Sequence, residues 1–527
     1  MAKLMSNKWM ATVAGIWIES SCALYTFTIY SSVLKSTQGY DQSTLDIVSV
    51  CKDIGSVGIL AGFLYSSVTF RNRNRNHSGF GGPWVVVLVG AIMSFVGYFL
   101  IWASVVGLIP RPPVPLMCLF FFLSAQAMSF FTTANTVCGV QNFPYSSGTA
   151  VGIVKGFMGI SGAIVIQAYD TFCKGNARAF LLILALLPTS VSLMLMFFVR
   201  VYNKPNTSDH DRKHLNRFTA GALIIAVYLM IIIILRNILT LPSWASIFTF
   251  TLLLLLLLAS PLGIAVKAQL EDSNICSETL SVETSPLMEN HDDRILPDDH
   301  EEGMNVLQAM WTVNFWLLFI AAVGGMGSGL ALINNFSQIG QSLNYATLEI
   351  TNLVSLWSIW SFFGRIGAGY LSDYLLHTRG WTRPVLMAIT LAGMVVGQIL
   401  IAFGFPGILY VGSILVGICF GSQWSLMPTI AADIYGVRHL GTIYNTIGIA
   451  TPLGSYIFSV RVIGYFYDKE ASGEDDSCFG THCFMLSFLI IASAVFLGFL
   501  AAIALFFRTK SFYQQVVLRR LKHSVTS

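Results

Sequence analysis

Apolar runs long enough to cross a lipid bilayer recur along nearly the whole of this chain, and they leave few folds open to it. They fall at about 9–33, 45–68, 83–107, 114–136, 147–169, 179–200, 218–239, 244–266, 311–333, 348–372, 384–405, 407–430, 440–465 and 484–507. A helix needs about 20 residues to traverse the roughly 30 Å hydrocarbon core, where no water can satisfy an unpaired backbone. Each run is therefore read as one transmembrane helix. Composition agrees, since 55% of the 527 residues are hydrophobic and 11% are charged, more apolar surface than a water-soluble fold can hide. The fold class is all-α membrane protein.

The fourteen expected spans group as six, two and six. Residues 1–200 form a first six-helix bundle and 308–510 a second. Between them, 201–266 hold a basic linker and two very oily helices suited to lipid contact, the second with leucines from Leu252 to Leu258. Residues 267–307 form an acidic loop carrying Asp292, Asp293, Asp298, Asp299, Glu301 and Glu302, with too little apolar content to order itself, and 511–527 form a tail. Lys3 and Lys8 precede the first run without a cleavage-site pattern, so that run reads as a retained span.

Alternating topology gathers Arg71, Arg73, Arg75, Lys204, Arg212, Lys213, Arg217, Arg379, Arg383, Arg508, Lys510, Arg519, Arg520 and Lys522 on one side. Lys35, Arg111, Lys174 and Lys469 fall on the other. The positive-inside rule then puts both termini and the acidic loop in the cytoplasm, with the compartment left open between plasma membrane and endomembrane or vacuole. A formal charge of +4 in such a chain carries no nucleic-acid reading. Most of the nine cysteines lie in or beside apolar runs. Cys478 and Cys483 share a polar loop and are a disulfide candidate if that loop faces an oxidising side.

The two halves echo each other. Gly62-Phe63-Leu64-Tyr65, at the end of a second span, matches Gly369-Tyr370-Leu371-Ser372-Asp373 at the end of another. Asn142 to Thr149 likewise parallels Asp433 to Thr442, including Arg438. Repeated six-helix halves are what alternating-access carriers use, with the solute near mid-membrane between them. The stretch Gly364-Arg365-Ile366-Gly367-Ala368-Gly369-Tyr370-Leu371-Ser372-Asp373, with Arg379 and Arg383 after it, resembles the loop signature of the major facilitator superfamily. That resemblance implies close helix approach at the glycines and a gate in which Arg365, Gly369, Asp373, Asp433 and Arg438 take part. Ser66 stands where the first half would carry the acid, so a symmetrical latch is not expected.

A longer resemblance rests on Lys8-Trp9-Met10, Gly15-Ile16-Trp17, Tyr30-Ser31, Gly39-Tyr40-Asp41-Gln42, Lys52-Asp53-Ile54-Gly55 and Gly152 to Ala163. With Gly327-Ser328-Gly329 and Asn334-Asn335-Phe336-Ser337-Gln338-Ile339-Gly340, it is similar to plant nodulin-like major facilitator carriers of the nuclear-fusion-defective type. It implies a plant major facilitator carrier of a small solute; a monomer is expected, Tyr30 and Gln338 are polar positions that could dress its cavity, and Asn334 is a further site candidate. Asn334 replaces an expected acid, so no proton-coupling role carries to it.

Charged residues inside spans are costly and need a partner or an aqueous cavity. Glu19 and Lys155 lie at similar depths and suit a pair. Lys52 and Asp53 are neighbours, about 100° apart on a helix, so only one is expected to face a given groove. Two readings stand at this point: a structural network among the four, or an anion site at Lys155 with a coupling proton on Glu19 or Asp53. A membrane-anchored regulatory protein with this fold is the rival from another class. No nucleophile elbow or phosphate loop is present and the nine histidines show no ligand spacing, so neither enzyme chemistry nor a metal or cofactor is expected.

Overall fold

The computed structural model describes residues 7–22, 26–40, 42–70, 82–173, 176–202, 208–239, 242–282, 303–405, 407–470 and 478–517. Arg71, Arg73, Arg75 and the acids from Asp292 to Glu302 lie outside the described residues. The first half comprises α1 (Lys8–Ser21), α2 (Phe27–Gln38), α3 (Gln42–Gly55), α4 (Ile59–Phe70), α5 (Pro83–Val106), α6 (Val114–Asn142), α7 (Ser147–Ala168) and α8 (Ala177–Leu195). Next come α9 (Ser208–Ile238) and α10 (Ser243–Val282). The second half comprises α11 (Val306–Met310), α12 (Val313–Ala322), α13 (Ser328–Asn334), α14 (Phe336–Ser342), α15 (Thr347–Arg379), α16 (Arg383–Phe403), α17 (Ile408–Tyr435), α18 (Leu440–Gly448), α19 (Ala450–Ser455), α20 (Tyr465–Glu470) and α21 (His482–Phe512).

Local chemistry sets the helix ends. Asn7 caps α1, its side-chain oxygen accepting from the Met10 amide at 2.8 Å. Pro83 opens α5, where a missing N–H costs nothing, and Gly107 at φ 88° closes it in the left-handed conformation. Gly380 at φ 65° stops α15 in the same way, and Pro384 lies in the first turn of α16.

The expected runs are helical, although several are divided. The 9–33 run ends its first helix at Ser21, with Cys22 extended, and resumes at Phe27. The 45–68 run is interrupted at Ser56 to Gly58, and π-helical turns at 323–327 and 456–464 divide two runs of the second half. Hydropathy is blind to these breaks because the residues at them are small or apolar. Twelve segments of the described residues are long and apolar enough to span, so the count of fourteen is not established. The two that fall short are the divided first run and α15, whose polar residues include Arg365, Asp373 and His377. The loop expected from 267 is corrected as well: α10 stays helical to Val282, since a nucleated helix propagates cheaply through residues such as Lys267, Ala268 and Leu270.

Each half forms a bundle, and α9 and α10 pack outside them against α1, α7 and α15. On α10, Leu253 and Leu257 are buried while Leu252, Leu255 and Leu258 remain exposed, as suits a helix with one side on protein and one on lipid. The halves meet along two pseudo-equivalent crossings, α7 on α15 and α4 on α18. Glycines permit both. A Cβ on Gly62 would lie 2.5 Å from the Gly441 carbonyl, and one on Gly152 3.2 Å from the Gly369 Cα. Small residues at such crossings let backbones approach where lipid offers no hydrophobic drive for association.

At the α4–α18 crossing the Ser66 and Thr442 hydroxyls sit 3.4 Å apart. A Ser66→Cys/Thr442→Cys variant should therefore form a disulfide under mild oxidation, read as a gel shift. Adding Gly62→Val should lower the yield severalfold; an unchanged yield would mean that this crossing is not held by glycine contact.

Candidate functional site

The broken helices converge on one place. A cavity of about 160 Å³ lies between the halves, and its walls include Thr26, Phe27, Ser56, Val57, Gly58, Gly448 and Thr451, all at or beside interruptions. Irregular backbone at membrane depth is tolerated where it lines a cavity and its polar groups are met. Here the Ser129 hydroxyl donates to the Ser56 carbonyl at 2.7 Å and Gln126 Nε2 to the Val57 carbonyl at 3.2 Å.

The floor carries two cations. Lys155 of α7 and Arg365 of α15 are each about 1% exposed and both border the cavity. Lys155 Nζ lies 5.5 Å from the Trp424 ring centre and 5.3 Å from that of Tyr444, while Arg365 sits 5.8 Å from Trp424. Arg365 Nη1 donates to the Lys155 carbonyl oxygen at 2.8 Å, joining the halves through a main-chain bond. In the cavity wall, Asn445 Nδ2 and the Tyr444 hydroxyl reach Thr133 Oγ1 at 2.8 and 3.1 Å.

Glu19 is fully buried behind the wall, accepting from Asn135 Nδ2 at 2.9 Å and Thr132 Oγ1 at 3.1 Å. Among the described residues it forms no direct ion pair with Lys155. Lys155 thus presents its charge to the cavity, flanked by aromatic rings. Tyr30 also borders the cavity, packed on Phe27 and Phe121.

Lys52 and Asp53 both line the cavity, contrary to the expectation that only one could face a groove. The cavity wraps the end of α3 at the break, so two directions of that helix open on it. Their charges meet at 3.5 Å, and Lys52 Nζ lies 5.0 Å from the Phe27 ring centre. With side chains 30% and 27% exposed, this pair marks the cavity's open end. Asn334 borders the cavity there and donates to Ser455 Oγ at 3.3 Å, whereas Gln338 is exposed and is not among the lining residues.

At the opposite end the halves are shut. The Asp373 carboxylate accepts from the Gly148 amide at 3.1 Å, the Thr149 amide at 2.6 Å and the Thr149 hydroxyl at 2.7 Å. A carboxylate from one half therefore caps the α7 N-terminus of the other, where free N–H groups and the helix dipole favour an anion. Arg383 joins the cluster, reaching Asp373 at 2.7 Å, Ser147 Oγ at 3.1 Å and Asp433 at 2.5 Å. Tyr513 donates to Asp433 at 2.8 Å. His377 stacks on Tyr145, 4.0 Å between ring centres.

Three placements differ from the sequence expectations. Arg365 stands eight residues before Asp373, about 12 Å along α15, and belongs to the cavity floor. Arg438 is exposed and takes no part in the cluster among the described residues. Arg383, which follows the loop-signature stretch, makes the bridges to Asp373 and Asp433. Cys478 and Cys483 are disulfide-bonded, and Gly480 within their loop donates its amide to the Ser342 carbonyl at 2.8 Å. The absence of histidine ligand spacing is also corrected: His210 and His214, four residues apart on α9, meet Glu271 of α10.

The sequence itself matches two family models, one described as Nodulin-like over residues 8–266 and one as NFD4, C-terminal domain over 300–515. The chain carries a Nodulin-like domain followed by an NFD4 C-terminal domain. It is 26% identical to Protein NUCLEAR FUSION DEFECTIVE 4 of Arabidopsis thaliana over 99% of this chain and 92% of that protein. It is also 27% identical to "Probable transporter MCH1" of Candida albicans, over 34% of this chain and 37% of that one. Among solved structures, the major facilitator transporter FucP in its outward conformation matches with a TM-score of 0.51 at 14% identity, covering 95% of this chain and 99% of that one. The proton:xylose symporter XylE matches with a TM-score of 0.55 at 13% identity over 95% and 94%. This nodulin-like chain therefore has the major facilitator fold.

Removing Asp373 leaves Arg383 with Asp433 as its one carboxylate partner in the cluster and uncaps α7. Asp373→Ala should destabilise the shut end by roughly 3–5 kcal/mol, whereas Ser66→Ala should cost about 1 kcal/mol or less. The contrast is measurable as thermal unfolding of the purified protein and as alkylation of a cysteine at Met158 from the Asp373 side. Equal effects of the two changes would mean that charge does not seal one crossing more firmly than hydroxyls seal the other.

Proposed function

We propose that this nodulin-like chain is a secondary transporter that moves a small organic anion by alternating access of its two halves. The observation that carries the reading is Lys155: a cation 1% exposed, on the floor of a cavity between the halves, facing aromatic rings and, among the described residues, with no carboxylate directly upon it. Glu19 acts on that charge across space, and an anionic ligand in the cavity would stabilise it further by direct contact. Arg365 adds a second cation to the same floor, and the Trp424 and Tyr444 rings give the solute an apolar flank. The named relatives support transport as the general activity, "Probable transporter MCH1" by its name and the two solved transporters by their fold.

In this reading the chain has fourteen spans, with the divided first run and α15 crossing the membrane alongside the twelve apolar segments. Both termini and the Asp373 end face the cytoplasm, the distribution of Lys and Arg supplying the orientation. The conformation is then outward-facing, with Asp373, Arg383 and the α7 N-terminus as the cytoplasmic gate. Glu19 carries the coupling proton. It lies on the far side of the wall from the solute, held by Asn135 and Thr132, where it can respond to the charge state of the floor without contacting the solute.

Purified protein in liposomes, offered a panel of small labelled carboxylates and phosphates under an imposed pH gradient, tests the reading. Lys155→Met should weaken apparent affinity by about 100-fold, with Lys155→Arg retaining part of it. Glu19→Gln should keep exchange of solute but lose accumulation driven by the gradient. Normal uptake by Lys155→Met removes the anion site; gradient-driven accumulation by Glu19→Gln removes the proton role.

A further inference from the structure

Away from the cavity, α9 and α10 bring together chemistry that solute transport does not use. His210 and His214 project from successive turns of α9, and Glu271 meets them from α10, with a ligand atom from each all within 4.8 Å of one another. Asp272 stands beside this group, its Oδ1 2.7 Å from His210 Nε2, while the other ring nitrogen, Nδ1, lies 4.0 Å from Glu271 Oε2. His214 is fully buried, with Nε2 3.2 Å from Glu271 Oε2. We propose that His210, His214 and Glu271 form a binding site for a divalent cation of the zinc type, which clamps α9 to α10.

Two imidazoles four residues apart on one helix face, completed by a carboxylate from a neighbour, form a nitrogen and oxygen donor set that suits zinc with a fourth position left to water. Several observations favour a ligand over a purely internal network. His210 Nε2 is buried and, among the described residues, has no hydrogen bond of good direction, although an Asp272 oxygen lies 2.7 Å away. The other Asp272 oxygen accepts from Trp9 Nε1 at 2.9 Å, and the Trp9 ring packs edge-on to His214 at 5.2 Å, so the donors are held by surroundings of their own. The cations now on Glu271 are displaceable: Lys213 at 3.0 Å and Arg217 at 3.4 Å have side chains 54% and 33% exposed and can turn to solvent. Arg217 also approaches His214 Nδ1 at 3.2 Å and would leave with the same movement. Asp211 does not compete, being paired with Lys8 at 2.6 Å.

The test uses the full chain in detergent, purified without reductant so that Cys478 and Cys483 stay bonded and His482 gains no thiol partners. Titration with ZnCl2 by calorimetry should show one saturable equivalent, with a raised Tm. His210→Gln and Glu271→Gln, which keep side-chain volume, should each weaken binding by more than the roughly 10–100-fold that loss of a ligand's supporting contact costs. His214→Ala should abolish the Tm rise. Failure of the wild type to bind saturably overturns the proposal, as does unchanged affinity in both glutamine variants, whatever His214→Ala does to folding.

Discussion

A carboxylate buried where two helix bundles meet is costly unless it is paired and hydrogen-bonded, and Asp373 finds partners in both bundles. Its oxygens take two amides and a hydroxyl from the start of α7 and a guanidinium from Arg383. The first three belong to the opposite half, so the anion is satisfied only while the halves are together. Asp433 extends the arrangement through Arg383 to Tyr513 at the end of the last helix. Asn142, its counterpart in the first half, holds the Arg200 carbonyl and the Tyr202 amide, both at 2.9 Å, after that half's last helix. The internal repeat thus preserves which elements are tied together while changing the chemistry that ties them.

That substitution of chemistry makes the shut end asymmetric. On one side Gly148 and Thr149 meet Gly369 and Asp373; on the other Gly441 and Thr442 meet Gly62 and Ser66. Backbone approach is equally close at both crossings, but one is sealed by charge and the other by two hydroxyls. A neutral hydroxyl contact is worth about 1 kcal/mol, and a charged bond roughly twice that or more. Separation of the halves is accordingly resisted mainly along α7 and α15.

Much of this is legible in the chain. Helix positions follow from apolar runs, and the two crossings from the echo of Gly62–Ser66 in Gly369–Asp373. Where the acid is missing, at Ser66, the crossing has hydroxyl contact in place of charge. What is lost is what one-dimensional patterning cannot carry. Angular reasoning assigns Lys52 and Asp53 to different surroundings on the premise of a continuous helix, and the break after Gly55 removes that premise. Arg365 and Asp373 share one motif yet serve different places, because eight residues of helix separate the cavity floor from the shut end. The Arg383 bridge and the His210–His214–Glu271 cluster depend on contacts between elements 50 or more residues apart. For the bridge the signal is the place of Arg383 just after the loop-signature stretch; for the cluster it is the spacing of the two histidines, which gains meaning once Glu271 proves to lie on a helix and not in a loop.

On the transport reading, the floor and the gate share their supports, and this supplies a physical link between them. Lys155 lies on α7 and Arg365 on α15, the same two helices whose ends are joined by Asp373. Two cations across one crossing repel, and an anion seated between them offsets that repulsion, so occupancy changes the energy of the α7–α15 contact directly. The groups at the gate exchange their mutual bonds for water when that face opens, so the net resistance is a few kcal/mol and not the sum of the bonds. A solute that binds the two conformations with a difference of that size can shift their populations, whereas one bound equally by both shifts nothing. The selective requirement therefore falls on how differently Lys155 and Arg365 contact the solute in each state, more than on how tightly they hold it in either.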